Sequence, residues 1–94
     1  MEQKNNHIFY VLECGDGSNY AGYTNNLERR VAVHNSGKGA KYTRARLPVH
    51  CIYAEDYMDK RQAMQAEYRF KQLTRVQKEQ YILKGDDDHE ISKK

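Results

Sequence analysis

Residues 20–34, YAGYTNNLERRVAVH, contain the change from strand to helix around which the rest of the chain is organised. In this helix, Arg30 and His34 are four residues apart and therefore lie on one face. Leu27 and Val31 have the same spacing and form the neighbouring apolar stripe. The helix can bury this stripe while it holds a guanidinium and an imidazole side by side. With a tyrosine in the preceding strand, this pattern predicts a site for a phosphate group and a water molecule.

The chain of 94 residues has the size of one domain with a modest hydrophobic core. No segment has the length and apolar composition of a membrane span, and the N-terminus lacks the charged-then-apolar pattern of a signal sequence. We therefore expect a soluble protein of the cytoplasm. Cys14 and Cys51 are too few for a disulfide scaffold and lack zinc-finger spacing, so we interpret them as small buried apolar residues.

Basic residues are concentrated in two segments, although the formal net charge is only +3. Residues 28–46 contain six Lys or Arg and one acidic residue, and residues 60–84 contain seven Lys or Arg and two glutamates. The acidic residues within 86–90 offset part of this positive charge near the end of the chain. The two basic segments indicate a polyanionic partner, whereas a solvated surface is the alternative interpretation.

Three segments have the pattern of β-strands, residues 7–13, 19–24 and 51–57. Both alternating sets of side chains in the first segment are largely apolar. A strand that is covered on both faces is usually a central strand. The second segment follows a turn rich in glycine, so the first two strands are predicted to form a hairpin.

The length of the hairpin loop decides which tyrosines share a face. A two-residue loop at Asp16-Gly17 would put Tyr10 and Tyr20 on opposite faces. A three-residue loop that ends at Gly17, with this glycine left-handed, would pair Leu12 with Tyr20 and put both rings on one face. The sequence allows both loops. We predict the three-residue loop, because only this loop brings the two rings to a common site.

The helices have recognisable ends. Asn25 or Asn26 caps a helix that runs from about residue 26 to residue 34 or 35. Asp59 caps a second helix over residues 60–72 or 60–73. Thr74 and Gln77 resemble a capping box for a third helix over residues 75–83, which Gly85 is predicted to end.

The remaining segments are less regular. Residues 40–46 are either a helical turn or a loop, and Pro48 then favours an extended entry into the third strand. The predicted domain covers residues 7–84, and residues 1–6 and 85–94 are expected to be flexible termini.

Glu67 is the most informative single residue. Ala63, Ala66 and Phe70 have the spacing of a buried helix face, and Glu67 lies among them. A carboxylate on such a stripe is costly unless it is paired or binds a cation. It either forms a salt bridge with an arginine such as Arg30 or reaches the helix edge, or it is a lone metal ligand. Mg2+ often accepts one carboxylate together with waters and phosphate oxygens.

Aromatic and basic side chains supply the other candidates. The chain has eight tyrosines and no tryptophan. Four of them are interpreted as amphipathic residues at the edge of the core: Tyr53, Tyr57, Tyr68 and Tyr81. A basic segment with an interleaved aromatic ring contains Lys38, Lys41, Tyr42, Arg44 and Arg46. It is either a solvent-exposed loop or a nucleic-acid-binding surface on which Tyr42 stacks against an unpaired base, with affinity that falls as salt is added.

In this order and spacing, the motifs resemble the GIY-YIG nuclease domain, and most closely its small, stand-alone bacterial members of the YhbQ type. Residues 8–10 (IFY) stand at the position of G-I-Y, and residues 20–22 (YAG) at that of Y-I-G. The resemblance continues through TNNLERR (24–30), HN (34–35), SGKGAKYT (36–43) and RLPV (46–49). Glu67 falls where the family places its metal-binding glutamate. The resemblance covers about residues 7–83.

Two departures from the family pattern affect packing more than chemistry. Ile8 stands at the first glycine of the first motif, and Ala21 stands at the isoleucine of the second. The residues to which the resemblance assigns chemistry are retained. They are Tyr10, Tyr20, Arg30, His34 and Glu67, with Glu67 as the metal ligand.

The resemblance implies an α+β fold, with a three-stranded antiparallel sheet flanked by helices. It also implies an endonuclease that hydrolyses DNA phosphodiester bonds with Mg2+ or Mn2+. In this hypothesis Arg30 holds the non-bridging phosphate oxygens, Tyr10 takes the proton of the attacking water with His34 as a relay, and Tyr20 positions water or phosphate. An unperturbed tyrosine, with a pKa of about 10, is a poor base at neutral pH, so a neighbouring cation must lower its pKa.

A chain of this length leaves no room for a separate sequence-reading domain, so low sequence specificity is expected. Branched, nicked or single-stranded DNA are candidate substrates, in repair or recombination, and RNA is the alternative polymer. We expect a monomer or weak dimer that does not contact membranes. The competing interpretation is a non-catalytic nucleic-acid-binding or protein-interaction module that uses the same basic face.

Overall fold

The computed structural model describes the backbone of residues 7–92 and the side chains of residues 7–84. It has an α+β fold with one antiparallel sheet of three strands, which confirms the predicted class. Its elements, in chain order, are β1 (His7–Glu13), β2 (Asn19–Thr24), α1 (Leu27–Val33), a π-helical segment (His34–Lys38), α2 (Lys41–Arg44), β3 (His50–Tyr57), α3 (Lys60–Lys71) and α4 (Arg75–Ser92).

The β1–β2 hairpin has the predicted three-residue loop. Leu12 pairs with Tyr20, and Glu13 pairs with Asn19. Gly17 has a φ of 85°, a left-handed conformation that glycine adopts without steric cost. Because side chains alternate along a strand, this register puts Tyr20 on the same face as Tyr10.

The central position predicted for β1 is also confirmed, because the strand order is β2–β1–β3. On one face of the sheet, Phe9 and Val11 of β1 pack with Phe70 of α3 in a buried cluster. On the other face, Tyr10 and Leu12 form a second buried cluster. The partly buried α1 stripe of residues 27 and 31 packs against this second cluster, so α1 brings its polar edge to the Tyr10 face.

The helix caps are those that the sequence predicts. The side chain of Asn26 accepts a hydrogen bond from the backbone N–H of Arg29 at 3.1 Å. Asp59 accepts one from Arg61 at 2.9 Å. The capping box before α4 is reciprocal, since the Thr74 N–H donates to the Gln77 side chain at 2.9 Å and the Gln77 N–H donates to the Thr74 hydroxyl at 3.2 Å. Residues 41–44 form a helical turn, which decides the alternative left open for that segment.

Three expectations about the elements need correction. β3 begins at His50, one residue earlier than predicted. Helix α4 continues through Gly85 to Ser92, because an interior glycine costs only about 1 kcal/mol relative to alanine and need not end a helix. Tyr68 is 66% exposed and does not belong to the core edge, because it lies opposite the Ala63/Ala66/Phe70 face of α3.

Residues 1–6 and 93–94 lie outside the described part of the chain, and the flexibility of both termini stays a prediction. No helix within the described residues combines the length and apolar character needed to cross a membrane.

Candidate active site

The structure brings Tyr10, Tyr20 and His34 together on one face of the sheet. The Tyr10 hydroxyl lies 3.2 Å from Nε2 of His34. The ring of Tyr20 meets the His34 ring edge to face, with centroids 5.4 Å apart. Tyr10 and His34 are both buried, whereas Tyr20 is partly exposed. The three rings therefore form a small basin that is open at the Tyr20 side.

Two glycines make this close arrangement of rings possible. Gly22 is the strand partner of Tyr10, and a Cβ at residue 22 would lie only 2.5 Å from the Tyr10 hydroxyl oxygen. A Cβ at Gly39 would lie 2.3 Å from Nδ1 of His34. Both distances are well inside van der Waals contact, so only glycine leaves room for the two side chains as they stand.

The end of α1 is held in place by hydrogen bonds from outside the helix. Asn35 donates to the carbonyl of Val49 at 2.9 Å and accepts from the backbone N–H of Val49 at 2.8 Å. Nδ1 of His34 lies 2.9 Å from the hydroxyl of Thr43, which is itself fully buried. The His34 ring is thus fixed at both nitrogens, with Tyr10 on one side and Thr43 on the other.

Arg30 lies one turn before His34 on the same face of α1. Within the described residues, its Nε is a buried side-chain donor without a hydrogen-bond partner. A buried, charged donor that lacks a partner is unfavourable and needs an explanation, which an anionic ligand would provide. A polar cleft of about 280 Å³ lies beside it, lined by Thr24, Asn25, Asn26, Arg29, Arg30 and Val33. The cleft offers room for an anion next to the Arg30 side chain.

The charge of Glu67 acts on Tyr10, and the ion-pair partner of Glu67 is not the arginine suggested by the sequence. Its side chain is 22% exposed, and its Oε2 lies 2.8 Å from Nζ of Lys71, one turn further along α3. Lys71 is 47% exposed, and its Nζ lies 5.8 Å from the centroid of the Tyr20 ring. The salt-bridge alternative for Glu67 is therefore correct in kind, with Lys71 in place of Arg30.

The electrostatics of the basin keep both members of the Tyr10–His34 pair neutral. Burial raises the pKa of Tyr10, and the neighbouring Arg30 guanidinium offsets this only in part, while Tyr20 and Glu67 raise it further. Burial lowers the pKa of His34, and the positive charge of Arg30 lowers it again. The sequence argument required a neighbouring cation to lower the pKa of Tyr10, but without a bound ligand the net shift is upward.

Glu67 is the carboxylate whose charge acts on Tyr10, so it is the candidate to bind a metal ion beside the basin. Within the described side chains, no group of three or more His, Cys, Asp or Glu residues comes together. A site built on Glu67 alone fits Mg2+ or Mn2+, which bind through a single carboxylate when waters and substrate phosphate fill the other positions. It does not fit Zn2+, which normally takes several protein ligands.

The predicted basic segment lies next to the basin but contacts it through aromatic stacking. The Tyr42 ring is 38% exposed and stacks on Tyr20, with centroids 5.9 Å apart and planes 23° from parallel. The guanidinium of Arg46 lies 4.0 Å above the Tyr42 ring and pairs with Asp16 at 3.1 Å. Lys38, Lys41 and Arg44 are exposed to solvent. Tyr20, Tyr42 and Arg46 therefore form a continuous stack that leads away from the basin.

Sequence reasoning missed three residues that touch the predicted site. Lys71 has no role in the sequence prediction, although its position four residues after Glu67 is a standard signal for a helical ion pair. Thr43 and Asn35 are also polar and contact the site or its supporting helix. No local sequence pattern predicts those two contacts, because each depends on how segments distant in the sequence pack together.

Residues 6–80 match the family model described as the GIY-YIG catalytic domain. The chain is 68% identical over 84 residues to a UPF0213 protein of Bacillus cereus, which covers 89% of this chain and 88% of that protein. It is 62% identical over 80 residues to the UPF0213 protein YazA of Bacillus subtilis, which covers 85% and 81%.

Two solved structures have similar folds. The solution NMR structure of a protein from E. faecalis is 53% identical, with a TM-score of 0.63 over 92% of each chain. The solution NMR structure of a UPF0213 protein from Bacillus halodurans is 49% identical, with a TM-score of 0.55 over 82% of each chain. These relatives are small proteins of similar length, as the resemblance to stand-alone members predicts.

Proposed function

Because the chain belongs to the GIY-YIG catalytic domain family, whose members are endonucleases, we propose that it hydrolyses phosphodiester bonds in DNA with low sequence specificity and with Mg2+ or Mn2+. The observation that carries the proposal is the Tyr10–His34 contact of 3.2 Å, on the same face as the buried Nε of Arg30, which has no hydrogen-bond partner among residues 7–84. One group is arranged to move a proton, and the other to hold an anion.

Arg30 is the residue that would hold the phosphate. Phosphodiester hydrolysis places additional negative charge on the non-bridging oxygens as the water attacks. A donor fixed in a buried position stabilises that charge without having to reorganise. The missing hydrogen-bond partner of Nε supports this role, because a phosphate oxygen would supply it.

Tyr10 and His34 would together remove the proton of the attacking water. As the new O–P bond forms and the bond from phosphorus to the leaving oxygen breaks, the water proton passes to the Tyr10 oxygen while the Tyr10 proton passes to Nε2 of His34. The lowered pKa of His34 keeps its imidazole neutral and able to accept that proton. Tyr10 therefore does not need to exist as a phenolate before the reaction, which its raised pKa would prevent.

Glu67 would hold the metal ion. Bound there, Mg2+ supplies Lewis-acid stabilisation of the leaving oxygen and partly neutralises the phosphate. For Glu67 to accept the ion, the ammonium of Lys71 has to leave its 2.8 Å contact. The greater exposure of Lys71 supports this exchange, because the lysine can turn into solvent while the glutamate stays in the basin.

The stack of Tyr20, Tyr42 and Arg46 would guide the strand toward the basin. Positive charge beside aromatic rings binds backbone phosphates, and an unpaired base would stack on Tyr42 in place of the Arg46 guanidinium. Lys38, Lys41 and Arg44 add charge along the same segment, so affinity is expected to fall steeply with salt. This arrangement favours branched, nicked or single-stranded DNA, as used in repair or recombination.

The decisive experiment compares cleavage of flap, nicked, single-stranded and duplex DNA by the purified chain, with and without Mg2+. The parent should give Mg2+-dependent product. Glu67→Ala should lose activity by about 10²-fold or more, because the several kcal/mol of metal stabilisation disappear. Glu79→Ala is the matched control, since Glu79 also pairs one turn away, with Arg75 at 3.2 Å, but lies on α4.

Tyr10→Phe tests the proton path in the same assay, because it retains the ring and removes only the hydroxyl. Loss of a general base typically costs 10²–10⁴-fold. Cleavage by Glu67→Ala and Tyr10→Phe at the parental rate would contradict the assignment. Salt-sensitive DNA binding without product in the parent would instead indicate the non-catalytic binding module.

A further inference from the structure

We propose that Thr43 is a positioning residue that holds the imidazole of His34 in the Nδ1–H tautomer, so that Nε2 presents its lone pair to the Tyr10 hydroxyl. This inference rests on the proposed function for its consequence in catalysis. The tautomer itself can be measured without DNA, metal or activity.

The hydrogen bonds of Thr43 supply the first argument. Its hydroxyl has one proton, and this proton has an acceptor in the carbonyl oxygen of Ala40 at 2.9 Å. Toward Nδ1 of His34, also 2.9 Å away, the hydroxyl then acts as an acceptor. With the hydroxyl proton on the Ala40 carbonyl, which also accepts from the backbone N–H groups of Thr43 and Arg44, Nδ1 carries the shared proton and Nε2 of a neutral imidazole is without one.

The Tyr10 hydroxyl supplies a second, independent argument from the other side of the ring. Tyr10 is buried, and among the described residues its hydroxyl lies within hydrogen-bond distance of Nε2 of His34. The neighbouring Arg30 can only donate. In the Nδ1–H tautomer, the Tyr10 proton has Nε2 as its acceptor. In the opposite tautomer, Nε2 would donate to Tyr10 and the tyrosine proton would lose that acceptor.

Close packing makes Thr43 hard to replace as the partner of Nδ1. His34 and Thr43 are both 0% exposed. Gly39 lies so close that even a Cβ there would come within 2.3 Å of Nδ1. If the hydroxyl were removed, a water molecule would have to fit into this crowded space to take over the bond. The tautomer should therefore depend on the side chain of residue 43.

The consequence for the reaction concerns the direction of proton transfer. With the lone pair on Nε2, the Tyr10 proton can pass to His34 as Tyr10 accepts the proton of the water. With a proton on Nε2, the same contact blocks this transfer. Thr43 does not touch the substrate in this account, and it acts only through His34.

The test uses 15N-labelled protein and long-range 1H–15N correlation of the imidazole nitrogens at pH 7.5. The His34 signals are identified among those of the four histidines as the ones that a His34→Gln variant lacks. The parent and Thr43→Ser, which retains the hydroxyl, should show the Nδ1–H tautomer. Thr43→Val, which is nearly isosteric, should shift His34 toward Nε2–H. Thr74→Val, which removes a helix-cap hydroxyl on α4, is the control for general destabilisation and should leave His34 unchanged.

Cleavage supplies the second readout. Thr43→Val should reduce kcat by about 10–100-fold, by analogy with removal of the outer hydrogen-bond partner of a metal-bound histidine. Its KM for DNA should stay unchanged, and Thr43→Ser should restore most of the rate. If Thr43→Val does not fold, the parent and Thr43→Ser spectra still decide the tautomer.

An Nε2–H tautomer in the parent would overturn the proposal, and so would an unchanged Nδ1–H tautomer in Thr43→Val. A parent that shows the Nδ1–H tautomer and responds to Thr43→Val, but cleaves no DNA, would support the positioning role and count against the nuclease function. Failure of the tautomer proposal and failure of the nuclease proposal therefore give different results.

Discussion

Replacing Gly22 with alanine tests how closely the Tyr10 ring crosses the hairpin. Elsewhere in a strand, alanine is more favourable than glycine by about 0.5–1 kcal/mol, because it loses less backbone entropy on folding. Here the added Cβ would lie 2.5 Å from the Tyr10 hydroxyl oxygen and 2.7 Å from Cζ. Tyr10 is buried and its hydroxyl contacts His34. The ring cannot move away without breaking that contact or displacing its neighbours.

The expected magnitude follows from these opposing effects. Overpacking of a buried site typically costs 1–3 kcal/mol. Subtraction of the alanine preference leaves a net destabilisation of up to roughly 2.5 kcal/mol. For a domain of this size, that corresponds to a melting temperature lower by up to roughly 20 °C. Activity should fall further than stability predicts, since the displaced Tyr10 hydroxyl is the proposed path of the proton.

Urea denaturation of a double-mutant cycle separates the contact from other effects of the methyl group. Gly22→Ala is measured in the parent and in a Tyr10→Phe background, which removes the oxygen at 2.5 Å but leaves Cζ. The cost of Gly22→Ala should be smaller in Tyr10→Phe by about 0.5–1 kcal/mol, as is usual for residues in contact. A stabilised Gly22→Ala protein, or equal costs in both backgrounds, would refute the placement of Tyr10 over Gly22.

Three further outcomes are expected. Lys71→Met should tighten Mn2+ binding about two- to fivefold, measured by electron paramagnetic resonance, because it removes an ion pair worth up to about 1 kcal/mol from Glu67. Glu55→Gln should lower the free energy of unfolding by about 1–3 kcal/mol in urea titrations, because the Glu55 carboxylate accepts hydrogen bonds from three tyrosines. Cleavage should keep its rate as the pH falls through the ordinary range of histidine titration and slow only at lower pH, since burial and Arg30 lower the pKa of His34, which sets the lower limit for its action as a base.

Each of these outcomes has its control. Lys84→Met changes the same charge at an exposed lysine of α4 and should leave Mn2+ affinity unchanged. Glu79→Gln makes the same chemical change as Glu55→Gln at an exposed surface ion pair and should cost less than about 1 kcal/mol. A rate that keeps rising toward pH 10 would show that ionisation of a tyrosine, rather than of His34, limits the reaction.

The tyrosine cluster around Glu55 also determines how stability changes in alkali. Burial and the hydrogen bond to Glu55 raise the pKa of Tyr57 to about 12, and the same two causes raise the pKa of Tyr53 and Tyr81. In the unfolded chain these hydroxyls would ionise near pH 10. The stabilisation they provide is therefore complete below about pH 10 and is lost as the pH rises through their folded-state pKa values.

The elements that were predicted well are those that local chemistry specifies. The loop of β1–β2 is an exception, because the sequence allows two loops and the three-residue loop follows from the expectation that Tyr10 and Tyr20 share a site. The caps Asn26 and Asp59 and the box of Thr74 and Gln77 are short-range signals. Each of these capping interactions joins residues within a few positions of one another, so it does not depend on how the rest of the chain packs.

The errors occur where local signals are weak or where tertiary placement decides. Gly85 is a frequent helix end, but its small intrinsic cost is compatible with a continuing α4. The exposure of Tyr68 shows that helical position outweighs a general tendency of tyrosine to lie at the core edge. The Lys71–Glu67 pair was available from spacing alone, whereas the Thr43–His34 bond joins α2 to the π-helical segment and has no short-range signature.

The opposite pKa shifts of Tyr10 and His34 explain why the basin uses a pair of groups. A buried tyrosine with a raised pKa has a hydroxyl near the reaction but does not ionise at neutral pH. A buried histidine with a lowered pKa is a free base at neutral pH, and it lies behind the tyrosine at 3.2 Å. The tyrosine places a hydroxyl next to the attacking water, and the histidine behind it supplies the proton affinity. The same burial that would disable either group alone therefore makes the two effective together, provided that Nε2 of His34 is the nitrogen without a proton.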